Sequence, residues 1–452
     1  MRLTIFLALS FLIANLSFSQ TGRFSGRIIH EGEPIEFAKI GLKGTNLGAV
    51  SDQSGSFEIK EIPFGTYEIV VSIIGFQTQK TEIILGPDQT SHQLDFYLQE
   101  SNYSMNEVVI SGTMKEVNKL DSPVPVEVYS AEFFEANPTP SIFESMQNVN
   151  GVRPQLNCNV CNTGDIHING LEGPYTMILI DGMPIVSGLS TVYGLTGIPQ
   201  SLVERVEIVK GPASTLYGSE AVGGLINIIT KKPVNAPLVS ADVFATSWQE
   251  VNTDLGVKFK AGSKAHSLLG INYFNYQNPL DKNGDHFTDV TLQNRLSVFN
   301  KWSFNRKDHK AFSIAARYVY EDRWGGEMNW EPKYRGGDLV YGESIYTSRW
   351  ETFGVYQLPV KEVINFQFSA NGHNQNSVYG DTKYLADQYI GFAQLTWNKT
   401  LGERHDLLVG SAYRYTYYDD NTTATDDIAT GENSPSITHL PGLFAQDEIV
   451  LN

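Results

Sequence analysis

From about residue 237 onward, apolar and polar residues alternate in long runs, and this alternation constrains the fold more than any other feature of the chain. In one run, Phe312, Ile314 and Tyr318 fall on one face, and Ser313 and Arg317 fall on the other. A period of two is that of a β-strand whose faces meet different environments. Aromatic residues collect at the ends of these runs, as in the interfacial girdles of membrane barrels. We therefore expect about ten antiparallel strands of the membrane-barrel kind.

The connections between these runs alternate in length, which favours a barrel over a soluble sandwich. Outer-membrane barrels have short turns on the periplasmic side and long loops outside. The chain stops within an apparent strand, and about ten strands would leave an open edge that lipid cannot satisfy, so we expect residues 234–452 to form an incomplete barrel. Short turns are predicted at 262–265, 305–307, 359–362 and 402–403, and long loops near 278–287, 323–343, 375–386 and 419–436.

The first 19 residues predict export. Arg2 precedes an apolar run from residue 3 to 16, and Ser17 and Ser19 then supply small residues ahead of a cleavage site at Gln20. The run is shorter than the ~20 residues that a spanning helix needs, so we predict a signal peptide rather than a membrane anchor. No other stretch approaches that length. A membrane location would therefore require a barrel.

Residues 20–98 are predicted to form a β-sandwich. Turn residues at 52–55 and 63–65 separate short strands in which apolar side chains alternate with polar ones. The stretch 26–76 resembles the carboxypeptidase-regulatory-like domain found in many Bacteroidetes outer-membrane receptors. No metal-ligand spacing of a peptidase occurs in it.

Residues 122–233 contain several motifs in a fixed order. Residues 178–185 read ILIDGMPI, 203–212 read VERVEIVKGP, 214–218 read STLYG, and 221–231 read AVGGLINIITK. Together they resemble the plug domain of TonB-dependent receptors, and the resemblance implies an α+β plug. Lys210 stands where that family usually has arginine, so an ion pair with bidentate geometry is not expected there. The predicted fold is thus mostly β: an N-terminal sandwich, a plug and an incomplete antiparallel transmembrane β-barrel.

Residues 99–121 are predicted to be a linker with one short apolar patch. By its position before the plug, the patch resembles the TonB box, which pairs with a sheet edge of the energy-coupling protein TonB. We expect it to be mobile until TonB binds, and the alternative is an ordinary linker strand. The patch comprises Glu107, Val108, Val109, Ile110 and Ser111.

The two cysteines of the chain lie in one short segment, 156–164, which the resemblance places at the apex of the plug, facing the ligand. We expect a disulfide between Cys158 and Cys161 because exported thiols are oxidised, and soft metal ligands are the alternative. The flanking asparagines suit a polar ligand rim, and if the cysteine loop is only structural, substrate choice rests on 186–193 and the long external loops. The predicted ligand-binding residues are Asn157, Cys158, Asn159, Cys161, Asn162, Ser187, Ser190 and Tyr193.

The resemblance implies active uptake across the outer membrane, with TonB and outer-membrane lipid as partners and a small-molecule metal chelate as ligand. The segment 156–164 and the following 168–175 resemble those of some haem receptors, which favours haem or a ferric siderophore, and cobalamin and copper remain open. A surface-binding or signalling protein that does not transport is a further alternative. No nucleophile, nucleotide-binding or zinc-hydrolase pattern occurs, so we expect neither an enzyme nor a cofactor. A net charge of −17 argues against a nucleic-acid partner.

Overall fold

The computed structural model describes residues 21–30, 32–45, 47–73, 76, 78–99, 108–158, 160, 163–184, 194–402 and 404–449. The chain divides into two compact units, Met1–Glu107 and Val108–Asn452, each of which is described by itself. The predicted signal peptide, 1–19, lies outside the described residues.

The N-terminal unit packs two β-sheets around an apolar core. One sheet has the order β2-β1-β5, with β8 and β9 also pairing with β1, and the other has the order β4-β3-β6-β7. Phe24, Ile62 and Ile69 are fully buried in the core. The predicted turn at 52–55 is present, with the Gly55 amide donating to the Asp52 carbonyl. The strands are β1 (Thr21–His30), β2 (Glu33–Pro34), β3 (Lys39–Leu42), β4 (Gly48–Val50), β5 (Ser56–Pro63), β6 (Gly65–Ser72), β7 (Gln79–Leu85), β8 (Ser91–Gln93) and β9 (Phe96–Tyr97).

The second unit begins with the predicted plug, whose main sheet has five strands in the order β12-β17-β18-β15-β16. Two of them, β15 and β18, are buried along their whole length and are mostly apolar. The strands of this region are β10 (Val108–Val109), β11 (Val117–Asn118), β12 (Glu127–Ser130), β13 (Val152–Cys158), β14 (Thr163–Ile168), β15 (Thr176–Ile180), β16 (Met183–Pro184), β17 (Val203–Lys210) and β18 (Gly224–Thr230). Its α-helices are α1 (Ala131–Glu135), α2 (Ile142–Ser145) and α3 (Ser214–Tyr217).

A tight turn joins β15 to β16. Asp181 and Gly182 both have positive φ, at 49° and 79°, which is the backbone of a type I′ hairpin turn. The Asp-Gly pair is the usual choice for such a turn, because both residues tolerate the left-handed region. The turn leaves the Asp181 carboxylate beside Thr230, whose amide and hydroxyl both donate to it at 2.8 Å.

The remainder of the second unit is one antiparallel sheet of ten strands, in agreement with the prediction. Each strand pairs with its sequence neighbour, and within the described residues β19 and β28 form the two edges. The strands are β19 (Val239–Ala245), β20 (Val251–Ala261), β21 (Ala265–Tyr276), β22 (Leu292–Phe304), β23 (Phe312–Gly326), β24 (Gly342–Gln357), β25 (Val363–Tyr379), β26 (Thr382–Leu401), β27 (His405–Asp420) and β28 (Ser436–Ile449).

The connections differ from the prediction at one place. Long connections follow β21, β23 and β27, and short ones follow β20, β22, β24 and β26, as predicted. The predicted long loop at 375–386 is wrong, because β25 and β26 continue through it and meet at a turn of two residues, Gly380 and Asp381. Polar side chains on both faces had indicated a loop there, but a strand that extends beyond the lipid is polar on both faces as well.

The two faces of the ten-stranded sheet have opposite character. On β23, Arg317, Val319 and Glu321 are buried on the face toward the plug, whereas Tyr318 is 48% exposed on the other face. Charged residues inside and aromatic residues outside are the arrangement of a barrel wall in lipid. In the described ranges, no helix combines the length and apolar character needed to cross a membrane.

Candidate functional site

The apex hairpin, formed by β13 and β14, reaches the side of the sheet that carries the long loops. The two strands pair from Val152 with Ile168 to Cys158 with Thr163, with an irregularity after Leu156. Beyond them, Val160 packs on Gly325, where an added Cβ would lie 3.0 Å from the Val160 Cγ2 atom. Gly325 is near the end of β23, which leads into the long connection before β24.

The structure describes few of the predicted ligand-binding residues. Asn157 is exposed on the apex hairpin, and its Oδ1 accepts a hydrogen bond of 3.1 Å from Gln155. Only the backbone of Cys158 is described, so the pairing of the cysteines stays a prediction. Outside the described residues lie Asn159, Cys161, Asn162, Ser187, Ser190 and Tyr193.

The box segment, residues 108–111, is attached to the plug, whereas a mobile segment was expected. Val108 and Val109 form β10, which pairs with β11, and Val109 is fully buried beside Leu179 and Leu225. The amides of Ile110 and Ser111 then donate into the plug, as described next. Glu107 lies outside the described residues.

Three residues of the plug hold the box segment, and we call them the box clasp: Arg205, which is partly buried, and the buried Glu207 and Asn227. Glu207 Oε2 accepts from the Ile110 and Ser111 amides at 2.9 Å each and from the Ser111 hydroxyl at 2.6 Å. Arg205 donates twice to the other oxygen of Glu207, at 2.9 and 2.7 Å. Asn227 Nδ2 donates to the Ser111 hydroxyl at 3.0 Å. Glu207 and Asn227 are fully buried, so these bonds are shielded from water.

Solved structures similar to this chain share its fold. FpvA of P. aeruginosa in complex with heterologous pyoverdines is 16% identical, with a TM-score of 0.59 over 78% of this chain and 53% of that one. A variant of the ferric enterobactin receptor PfeA from Pseudomonas aeruginosa is 16% identical, with a TM-score of 0.55 over 74% and 56%. The siderophore receptor PiuA from Acinetobacter baumannii is 15% identical, with a TM-score of 0.52 over 77% and 57%. The chain therefore spans little more than half the length of these structures.

Family models match both of the predicted small domains. The CarboxypepD_reg-like domain matches residues 24–110, and the TonB-dependent Receptor Plug Domain matches residues 118–225. The two domain matches and the shared fold support a TonB-dependent receptor of this type. This receptor is therefore an outer-membrane protein, and its family and fold are those of transporters and receptors, which are not enzymes.

Charged side chains on the inner face of the receptor's ten-stranded sheet attach the plug. Lys301 Nζ donates to the Asp181 carboxylate at 2.8 Å and to the Thr230 hydroxyl at 2.7 Å. Arg317 donates to the Gly194 carbonyl at 2.7 Å. Sequence analysis had placed Arg317 on one face of a strand and had not singled out Lys301. Their partners could not be foreseen, because they lie more than a hundred residues away in the chain.

A further attachment follows the box segment. Lys115 Nζ lies 2.8 Å from Asp406 Oδ2 and 2.7 Å from Glu448 Oε1, at the end of the sheet with short connections. Burial opposes the charge on Lys115, but its hydrogen bonds to the two carboxylates outweigh that effect and raise its pKa. Lys210, where arginine is usual, also has a partner, since its Nζ pairs with the Glu127 carboxylate.

Proposed function

We propose that this receptor takes part in TonB-dependent active uptake of a metal chelate across the outer membrane, and that the chelate is a ferric siderophore or haem. The observation that carries the proposal is the box segment bound to a plug that lies against a barrel wall. The similar structures FpvA, PfeA and PiuA are named for pyoverdine, ferric enterobactin and siderophore, respectively, which favours a siderophore over haem.

TonB is the proposed coupling partner, and it would bind residues 107–111 by β-strand addition. An extended segment that adds to a sheet edge needs free backbone amides. In this structure the amides of Ile110 and Ser111 are occupied by Glu207, and Val109 is buried. The box segment must therefore leave the box clasp before TonB can pair with it.

The proposed ligand contacts are on the side of the long connections. The apex hairpin extends to that side, and Asn157 is exposed on it. We assign contact with the chelate to Asn157, Cys158, Asn159, Cys161 and Asn162, together with Ser187, Ser190 and Tyr193.

Uptake of radio-iron-labelled chelates by cells expressing the receptor tests the proposal. We expect uptake that stops when the gene for TonB is deleted. Val109→Pro removes a backbone amide and a buried side chain from the box segment, so uptake should be lost while binding of the chelate at the cell surface persists. Val108→Thr is the matched control, because Val108 is 41% exposed and the change keeps the amide.

Three results would contradict the proposal in whole or in part. Normal uptake by Val109→Pro would make the segment a plain linker strand. Binding without any TonB-dependent uptake would favour a surface-binding or signalling protein. If cyanocobalamin or copper salts compete with the labelled chelate for uptake, the ligand is cobalamin or copper, the two alternatives that the sequence left open.

A further inference from the structure

A polar cavity of about 100 Å³ lies between the plug and the inner face of the ten-stranded sheet. It lies toward the long connections, because Tyr276 ends β21 and Thr291 precedes β22, on either side of one such connection. The apex hairpin contributes Leu156 to its wall. Residues that line it include Ser141, Glu144 and Leu156 from the plug and Tyr276, Thr291 and Gln293 from the sheet.

Two hydroxyl groups at this cavity have no hydrogen-bond partner within the part of the chain that the structure describes. Tyr276 is 2% exposed and Thr291 is 6% exposed, and neither hydroxyl oxygen makes a hydrogen bond to any described residue. Buried polar atoms are nearly always hydrogen-bonded, so an exception needs an explanation. Because both hydroxyls line the same cavity, one occupant that donates or accepts hydrogen bonds would satisfy both.

The charges around the cavity argue against an anionic occupant. Arg295 and Arg323 line it, but both lie against the fully buried Glu321, at 3.7 and 3.3 Å. Two further carboxyl groups, those of Glu144 and Glu250, line the same cavity. The two guanidinium charges are thus matched by carboxylates, and the described lining of the cavity holds no further cation to attract an acid group.

A metal ion is also a poor fit. Across the ranges that the structure describes, no group of three or more His, Cys, Asp or Glu side chains is placed to hold one.

The volume of the cavity limits the size of the occupant. Ligand pockets that enclose a whole small molecule measure roughly 300–1,000 Å³. A cavity of about 100 Å³ is large enough for one polar group and its immediate neighbours, or for a few water molecules.

We propose that this cavity is a subsite for one uncharged arm of the chelate, bearing an amide or a hydroxyl, and that the metal centre stays outside it. This subsite rests on the proposed function, because its occupant is the organic part of the chelate that the receptor would take up. Tyr276 and Thr291 would determine specificity, since each hydroxyl can donate to a carbonyl oxygen or accept from an N–H or O–H group.

Removal of the two hydroxyls tests the subsite. Tyr276→Phe combined with Thr291→Val changes the volume little. Tyr273→Phe is the matched control, because Tyr273 is on the same strand but is 39% exposed on the opposite face. Outer membranes containing each protein are titrated with ferric desferrioxamine B and ferric enterobactin, which carry amide groups, and with haemin, which carries none. We expect the double variant to bind the preferred ferric siderophore about tenfold more weakly, with haemin binding and the control unchanged.

The melting temperature separates a lost contact from a damaged fold. Because each substitution removes an unsatisfied buried oxygen, the double variant should melt at the same temperature or higher. If the receptor binds a siderophore and the double variant binds it equally well, the cavity holds only water and the subsite is overturned, while the proposed function stands. Binding of haemin alone would overturn the ligand class named here. Binding of none of the three would overturn the proposed function as well.

Discussion

Replacement of Glu207 by glutamine should release the box segment from the plug. One carboxylate oxygen accepts three hydrogen bonds from Ile110 and Ser111, and the other accepts two from Arg205. A glutamine can offer only one acceptor oxygen, so its NH₂ group must face either the box segment or the arginine. Hydrogen bonds to a charged group contribute about 1.5–3 kcal/mol each. We expect the attached state to lose about 2 kcal/mol, which is roughly a 30-fold shift toward release.

Two measurements report this shift in the ligand-free receptor. The periplasmic domain of TonB should bind Glu207→Gln more tightly than the unmodified receptor, by up to about 30-fold, because a larger fraction of molecules presents a free segment. A spin label attached at Val108 should become more mobile, since that side chain is already exposed and the label itself disturbs little.

Glu204→Gln is the matched control. Glu204 is on the same strand and pairs with the same arginine at 3.0 Å, but its side chain is exposed. It should change neither the affinity for TonB nor the mobility of the label. Equal affinity and mobility for Glu207→Gln and the unmodified receptor would refute the role assigned to the box clasp.

Three further predictions follow from the same structure. Intact mass with and without alkylation should show that Cys158 and Cys161 form a disulfide, and alkylation of both thiols without prior reduction would refute it. Lys301→Met should destabilise the plug by about 3 kcal/mol and lower its melting temperature, because it leaves the Asp181 carboxylate without its cation. Lys399→Met is the control, because the pair of Lys399 with Glu362 is partly exposed, and an equal effect of both substitutions would contradict the reasoning. Residues 20–98, expressed alone, should give the circular-dichroism spectrum of a β-sheet protein without bound metal, and a helical spectrum or stoichiometric zinc would show otherwise.

Local patterns were sufficient to predict the elements of this receptor. A period of two in the residues after 237 predicted ten antiparallel strands, because strand faces in a barrel wall alternate between lipid and plug. The same reasoning failed at 375–386, where polarity was taken for a loop. Outside the lipid both faces of a strand meet water or polar neighbours, so hydrophobic alternation no longer separates a strand from a loop.

The sequence by itself determined the class of fold, and it predicted the order of the domains and the place of the box segment, since each depends on residues close together in the chain. Only the tertiary structure decided what these residues contact. Ser111 meets Glu207 across 96 residues, and Asp181 meets Lys301 across 120. Such pairs depend on how the plug sheet and the barrel wall are aligned. They also depend on burial, because the exclusion of water strengthens each hydrogen bond. No periodicity or motif in one segment carries that information.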